Sequence, residues 1–123
     1  MAPVLERIDH VHVFVADRAA AEAWYERVLG LARLPELAHW AAGGGPLTVG
    51  NASGTIHIAL FESAGQPCRS TLAFGVAAGA FRDWQDHLSA QLDRGVEVVD
   101  HGEALSLYFQ DPDGNPFEIT CPA

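Results

Sequence analysis

A chain of 123 residues, 49% of them hydrophobic, is long enough to bury a core without metal or disulfide staples and is not the composition of a disordered tail. Its net charge of −9 argues against nucleic acid, whose phosphates it would repel. No stretch approaches the roughly 20 apolar residues of a membrane span, Met1 to Glu6 carries no leader pattern, and two cysteines, Cys68 and Cys121, make no disulfide framework, so a reducing cytoplasm is expected.

Ile8 to Val15 alternates strictly, with Val11, Val13 and Val15 on one face and His10, His12 and Phe14 on the other, which is the period of a strand. Asp17 stands at an N-cap position, and Arg18 to Leu29 is rich in helix formers, with Ala20, Trp24 and Val28 at helical spacing and Gly30 as a stop. Ala38 to Ala42 and Leu47 to Val49 read as short strands around the turn Gly43-Gly44-Gly45-Pro46. That glycine run lacks the lysine and following helix of a phosphate loop. Thr55 to Glu62 alternates again, and residues 63–70, with Gly65 and Pro67, read as a linker.

The order then repeats. Thr71 to Val76 is a strand; Ala80 to Leu92 is a helix with Phe81, Trp84, Leu88 and Leu92 on one face; Val96 to Val99 and Leu105 to Gln110 are strands. Asp111-Pro112-Asp113-Gly114-Asn115 is a tight turn, and Phe117 to Thr120 closes the sheet. The expected fold is therefore α+β: one domain over residues 1–123, built from two βαβββ modules, one over about residues 7–62 and one over 71–121, joined by the linker.

Sorting the strands by parity separates a core from a cleft. One parity is apolar throughout: Val13, Val15, Ile58, Leu60, Phe74, Leu107, Phe109, Phe117 and Ile119. The other carries His10, His12, Phe14, His57, Phe61, Thr71, Tyr108, Gln110 and Glu118, with hardly any formal charge. A solvated face would be charged. A few polar groups among apolar walls describe a small-molecule site, onto which these side chains would converge if the sheet curls.

Ile8-Asp9-His10-Val11-His12-Val13-Phe14-Val15 through Asp17, with Trp24-Tyr25 and Leu29-Gly30 downstream, resembles the opening strand and helix of vicinal oxygen chelate modules, the superfamily of glyoxalase I, fosfomycin-resistance enzymes, extradiol dioxygenases and bleomycin-binding proteins. Tyr108-Phe109-Gln110-Asp111-Pro112-Asp113-Gly114-Asn115-Pro116-Phe117-Glu118 is similar to that superfamily's terminal hairpin. The resemblance spans essentially the whole chain and implies two half-barrels around a cleft. In metal-dependent members the first-strand histidine and the terminal-strand glutamate bind a divalent cation; by position these are His10 and Glu118. A further histidine comes from the start of the second module, where this chain has Thr71, and Ala59 stands where glyoxalase I has its fourth ligand. His57, two residues before Ala59 on the same face, is the candidate substitute ligand. Chains of this length resemble dimers in which the half-barrels completing one cleft come from different subunits, which would set His10 of one beside Glu118 of the other.

Two functions follow as expectations. The first is a metal-dependent enzyme acting on a small oxygen-bearing molecule, with Zn²⁺, Ni²⁺, Mn²⁺ or Fe²⁺ held by His10, His57 and Glu118. Glu118 and Tyr108 would be catalytic, and His12, Phe14, Phe61, Thr71 and Gln110 would face the substrate. The second is a metal-free cleft that sequesters an aromatic drug or metabolite, for which Phe14, Phe61 and Tyr108 are suited and no cofactor is needed. Trp24 and Trp84 read as core, Trp40 as a pocket wall or dimer contact, and His39, His87 and His101 as surface. Cys121 falls on the parity opposite Glu118, away from the cleft.

Overall fold

The Asp17 side chain accepts a hydrogen bond from the Ala20 amide, and this cap starts the first helix where the first strand ends. Gly30, at φ 69°, stops the helix in the left-handed conformation that glycine adopts without strain. The computed structural model describes all 123 residues. In chain order the elements are β1 (Val11–Val15), α1 (Arg18–Leu29), β2 (Ala32–Arg33), a 3-10 turn (Pro35–Leu37), α2 (His39–Ala42), β3 (Leu47–Gly50), β4 (His57–Glu62), β5 (Leu72–Gly75), a second 3-10 turn (Ala78–Ala80), α3 (Phe81–Gln91), β6 (Val99–Asp100), β7 (Ala104–Gln110) and β8 (Pro116–Pro122). No helix is long and apolar enough to cross a membrane.

The strands form two four-stranded sheets of the same plan, β1-β4-β3-β2 and β5-β8-β7-β6. In each, the first strand of the module runs parallel to the last, and the remaining pairs are antiparallel. The βαβββ unit is thus doubled, as the order of elements requires. Alternation sends Val13, Val15, Ile58 and Leu60 from the first sheet, and Leu107, Phe109, Phe117 and Ile119 from the second, into one buried cluster with Trp24, Tyr25 and Val28 of α1 and Phe81 and Leu88 of α3. Leu107 is fully buried in it. Leu107→Ala should cost about 2–5 kcal/mol through lost burial and the cavity left behind; urea denaturation showing a loss below about 1 kcal/mol would mean that this position is not a packed core site.

Two elements differ from the sequence reading. Ala38 to Ala42 is helical rather than extended. Pro35 opens a 3-10 turn whose Leu34 and Pro35 carbonyls accept from Leu37 and Ala38, and α2 follows directly. The second strand of the first sheet is instead Ala32–Arg33, paired with Gly50 and Val49. Val96 is likewise outside β6, because helix α3 occupies its backbone groups: Ser89 accepts from the Val96 amide and Gln85 donates to its carbonyl.

The Asp111–Asn115 turn clasps the two modules together. Asp111 Oδ1 accepts from the backbone amides of Asp113 and Asn115, both at 2.9 Å, while Oδ2 accepts from Tyr25 Oη at 2.6 Å and Asn115 Nδ2 at 2.8 Å. Asn115 Nδ2 also donates to the Phe14 carbonyl on the free edge of β1, and its Oδ1 accepts from the Cys68 amide in the linker at 2.7 Å. Burial above all, and then the hydrogen bond to Asp111, push the Tyr25 phenol far above its ordinary pKa.

Candidate functional site

The face of the first sheet opposite its buried core face carries His10, His12 and Phe14 from the β1 side and His57, Ala59 and Phe61 from β4. His10 and His57 line a cleft of about 360 Å³ walled by Leu37, Trp40 and Pro46. Trp40 reaches that wall because Ala38–Ala42 turns helically; it is 57% exposed and open to a ligand. His10 Nδ1 donates to Asp9 Oδ1 at 2.9 Å, and its Nε2 lies 3.1 Å from His12 Nε2. The hydrogen bond from His10, followed by the charge of Arg7, holds the Asp9 carboxyl below its usual value. His12 packs on Phe61 with ring centroids 4.5 Å apart, and Phe14 on Phe61 at 5.9 Å, so an aromatic row continues the face beyond the histidines.

The second sheet carries Ser106, Tyr108 and Gln110 of β7 and Glu118 and Thr120 of β8 on its corresponding face. Tyr108 lies directly opposite Glu118 in the register. Ser106 Oγ donates to Glu118 Oε2 at 2.6 Å; Thr120, 3.2 Å from the same hydroxyl, gives its own proton to the Leu105 carbonyl. One carboxylate oxygen of Glu118 is therefore tied down and the other is free. Thr71 sits just before β5 and shares a cleft of about 520 Å³ with His12 and Cys68. Gln110 is exposed at the end of β7.

The sequence-derived residues thus fall into two groups rather than one. The strand alternation assigned their faces, but the strands form separate sheets with β1 and β5 at their edges, so a single curled sheet does not gather them. Glu118 lines neither of the two clefts that His10 and His57 share. No three His, Cys, Asp or Glu side chains of one chain are placed to hold a metal ion together. Within one chain, then, His10, His57 and Glu118 do not fit a three-ligand centre, although the Nε2 of His10, engaged only by His12, and the free oxygen of Glu118 are each suitable donors.

Two residues read as surface have specific partners. His101 Nε2 lies 3.0 Å from the Tyr108 hydroxyl, carried there by the turn after β6, where Gly102 adopts φ 89°. His87 donates from Nε2 to the Val28 carbonyl at 2.8 Å and so links the two long helices. Neither was visible in the sequence: His101 lies in a turn, outside any alternation, and the partner of His87 is a backbone atom 59 residues away.

The model of the Glyoxalase/Bleomycin resistance protein/Dioxygenase superfamily matches residues 7–119. Solved structures share the fold over nearly their whole length. A protein assigned to the glyoxalase family from Bacillus anthracis superposes with a TM-score of 0.75 at 23% identity, covering 100% of both chains. A glyoxalase/dioxygenase from Nostoc punctiforme gives 0.70 at 22%, covering 100% of this chain and 99% of its own. The fosfomycin resistance protein FosX from Listeria monocytogenes gives 0.71 at 19%, covering 98% and 96%. No curated protein matches in sequence. The family model covers nearly the entire chain, both sheets included, and this protein belongs to the glyoxalase/bleomycin resistance protein/dioxygenase superfamily.

Proposed function

We propose that this protein is a metal-dependent vicinal oxygen chelate enzyme for a small oxygen-bearing metabolite, acting in the cytoplasm as a homodimer whose cleft is completed by the second copy. The observation that carries this reading is that both principal donors are braced from behind. Asp9 orients His10 and Ser106 orients Glu118; beyond these braces the Nε2 of His10 is engaged only by His12, and the second Glu118 oxygen has no hydrogen-bond partner. A carboxylate on the far ring nitrogen is the usual partner of a metal-binding histidine. His10 and His57 of one copy, with Glu118 of the other, would hold Zn²⁺, Ni²⁺, Mn²⁺ or Fe²⁺. A bound ion would supply a Lewis acid for two neighbouring oxygens on which negative charge develops. Tyr108, its hydroxyl held by His101, donates a hydrogen bond to the substrate, and Gln110, Thr71 and His12 offer further polar contacts. Phe14, Phe61 and Trp40 exclude water from its apolar part. Isomerisation, ring cleavage and epoxide opening all occur on this scaffold.

The row of Phe14, Phe61 and His12 supports a second reading, a metal-free cleft that stacks on an aromatic drug or metabolite. Calorimetry with the four ions, on protein purified without chelator or polyhistidine tag, separates the two. The metalloenzyme should take up one ion per cleft at neutral pH and show a dimer mass by light scattering. Absence of stoichiometric uptake would overturn the metal reading in favour of the binder, and a monomer at micromolar concentration would remove the two-chain site.

A further inference from the structure

His10, just before β1, and His12, within it, are two residues apart, and their rings meet on the same face. Their Nε2 atoms approach to 3.1 Å, with the rings nearly parallel at 21°. Asp9 accepts a proton from His10 Nδ1, which fixes the neutral His10 ring as the Nδ1–H tautomer and leaves Nε2 with a bare lone pair. The Nε2 of His12 faces that lone pair across the gap. In the absence of an ion, a proton on His12 fills this gap.

We infer that His10 and His12 form a two-imidazole chelate for a borderline divalent cation, with Asp9 as its orienting carboxylate; this rests on the metal reading above and adds His12 to the ligands. The spacing suits an ion as well as a proton. Bonds of about 2.0–2.1 Å to two nitrogens 3.1 Å apart enclose an angle of about 95–100°, between the octahedral and tetrahedral values. The His12 ring is already braced against Phe61, so little freedom is lost on binding. Both residues are exposed, so an ion reaches them from solvent without rearrangement of the core. His57, on the adjacent strand, makes no hydrogen bond with either ring. It is not placed to close a three-ligand set with the pair in one chain. The family pattern that points to His10 and Glu118 leaves the His12 position as cleft wall, so the chelate is a property of this chain's own His-Val-His sequence.

The test uses the untagged full-length protein, with Zn²⁺ in calorimetry and Co²⁺ as a visible-absorption probe. His12→Ala should weaken Zn²⁺ at least about 100-fold and change the Co²⁺ band. Asp9→Asn should weaken it about 10–100-fold, as expected for an orienting partner. His87→Ala, far from the cleft, should leave it unchanged. Circular dichroism checks that the variants fold. Independently of any variant, ¹⁵N spectra of the wild-type imidazoles should show the Nε2 resonances of both His10 and His12 shifting on Zn²⁺ addition. If wild-type protein takes up neither ion, the metal reading and the chelate fall together. If it binds them but His12→Ala changes affinity less than about threefold, or the His12 resonance does not move, the chelate alone is overturned.

Discussion

Asn115→Ala is expected to destabilise the protein by about 3–5 kcal/mol, more than its small change in volume would suggest. The side chain is 1% exposed and serves three partners from three parts of the chain: Asp111 in its own turn, the Phe14 carbonyl on β1 and the Cys68 amide in the linker. Truncation removes one hydrogen bond from each of those groups, at roughly 0.5–1.5 kcal/mol for a neutral partner and 1.5–3 for the carboxylate. Asp113→Ala, which removes only the exposed contact to the Ala16 amide, should cost far less. Equilibrium urea denaturation of both variants is the check, and similar small losses would mean that the turn does not join the modules. The same clasp has a pH signature. Tyr25 is kept protonated by burial and by Asp111, whereas in the unfolded chain its phenol titrates near 10. Above that pH the unfolded state binds fewer protons than the folded one, so stability is full below about pH 10 and falls by about 1.4 kcal/mol per pH unit beyond it. Tyr25→Phe should abolish this part of the alkaline slope, and the chain has no lysine to mask it.

A mixture of two inactive variants should recover metal binding if the site spans two chains. His10→Ala and Glu118→Gln are each expected to weaken Zn²⁺ more than about 100-fold, beyond the 10–100-fold typical of losing only an orienting partner. In a mixed dimer, one cleft receives intact His10 from the Glu118→Gln chain and intact Glu118 from the His10→Ala chain, while the other receives neither. Random pairing then restores about a quarter of the wild-type sites, as two-fold symmetry dictates. Titration of the co-refolded mixture measures this fraction. No recovery, with each variant folded and dimeric, would place the donors within single chains and remove the cross-subunit arrangement.

Strand parity was readable because a period of two needs only the chain itself. Val13, Ile58, Leu107 and Ile119 are buried as their alternation requires, and Cys121 is in the core, opposite Glu118. The repeat of strand and helix was readable for the same reason. The short run at Ala38–Ala42 was not, since five residues offer no full period and Pro35 set the backbone upstream. His101 escaped because turns have no periodicity, and its meeting with Tyr108 depends on a backbone reversal at Gly102.

The sequence by itself determined the fold, the faces of the strands and the candidate donors, all of which depend on local alternation and on two motifs near the chain ends. Only the tertiary structure decided that those donors lie on two separate sheets, that His10 is tied to Asp9 and Glu118 to Ser106, and that Asp111 and Asn115 are committed to holding the modules together. Alternation states which side of a strand a residue faces. Which sheet edge lies beside which, and which hydrogen-bond partner a side chain finds, are set by packing between segments far apart in the chain, and no local period records them.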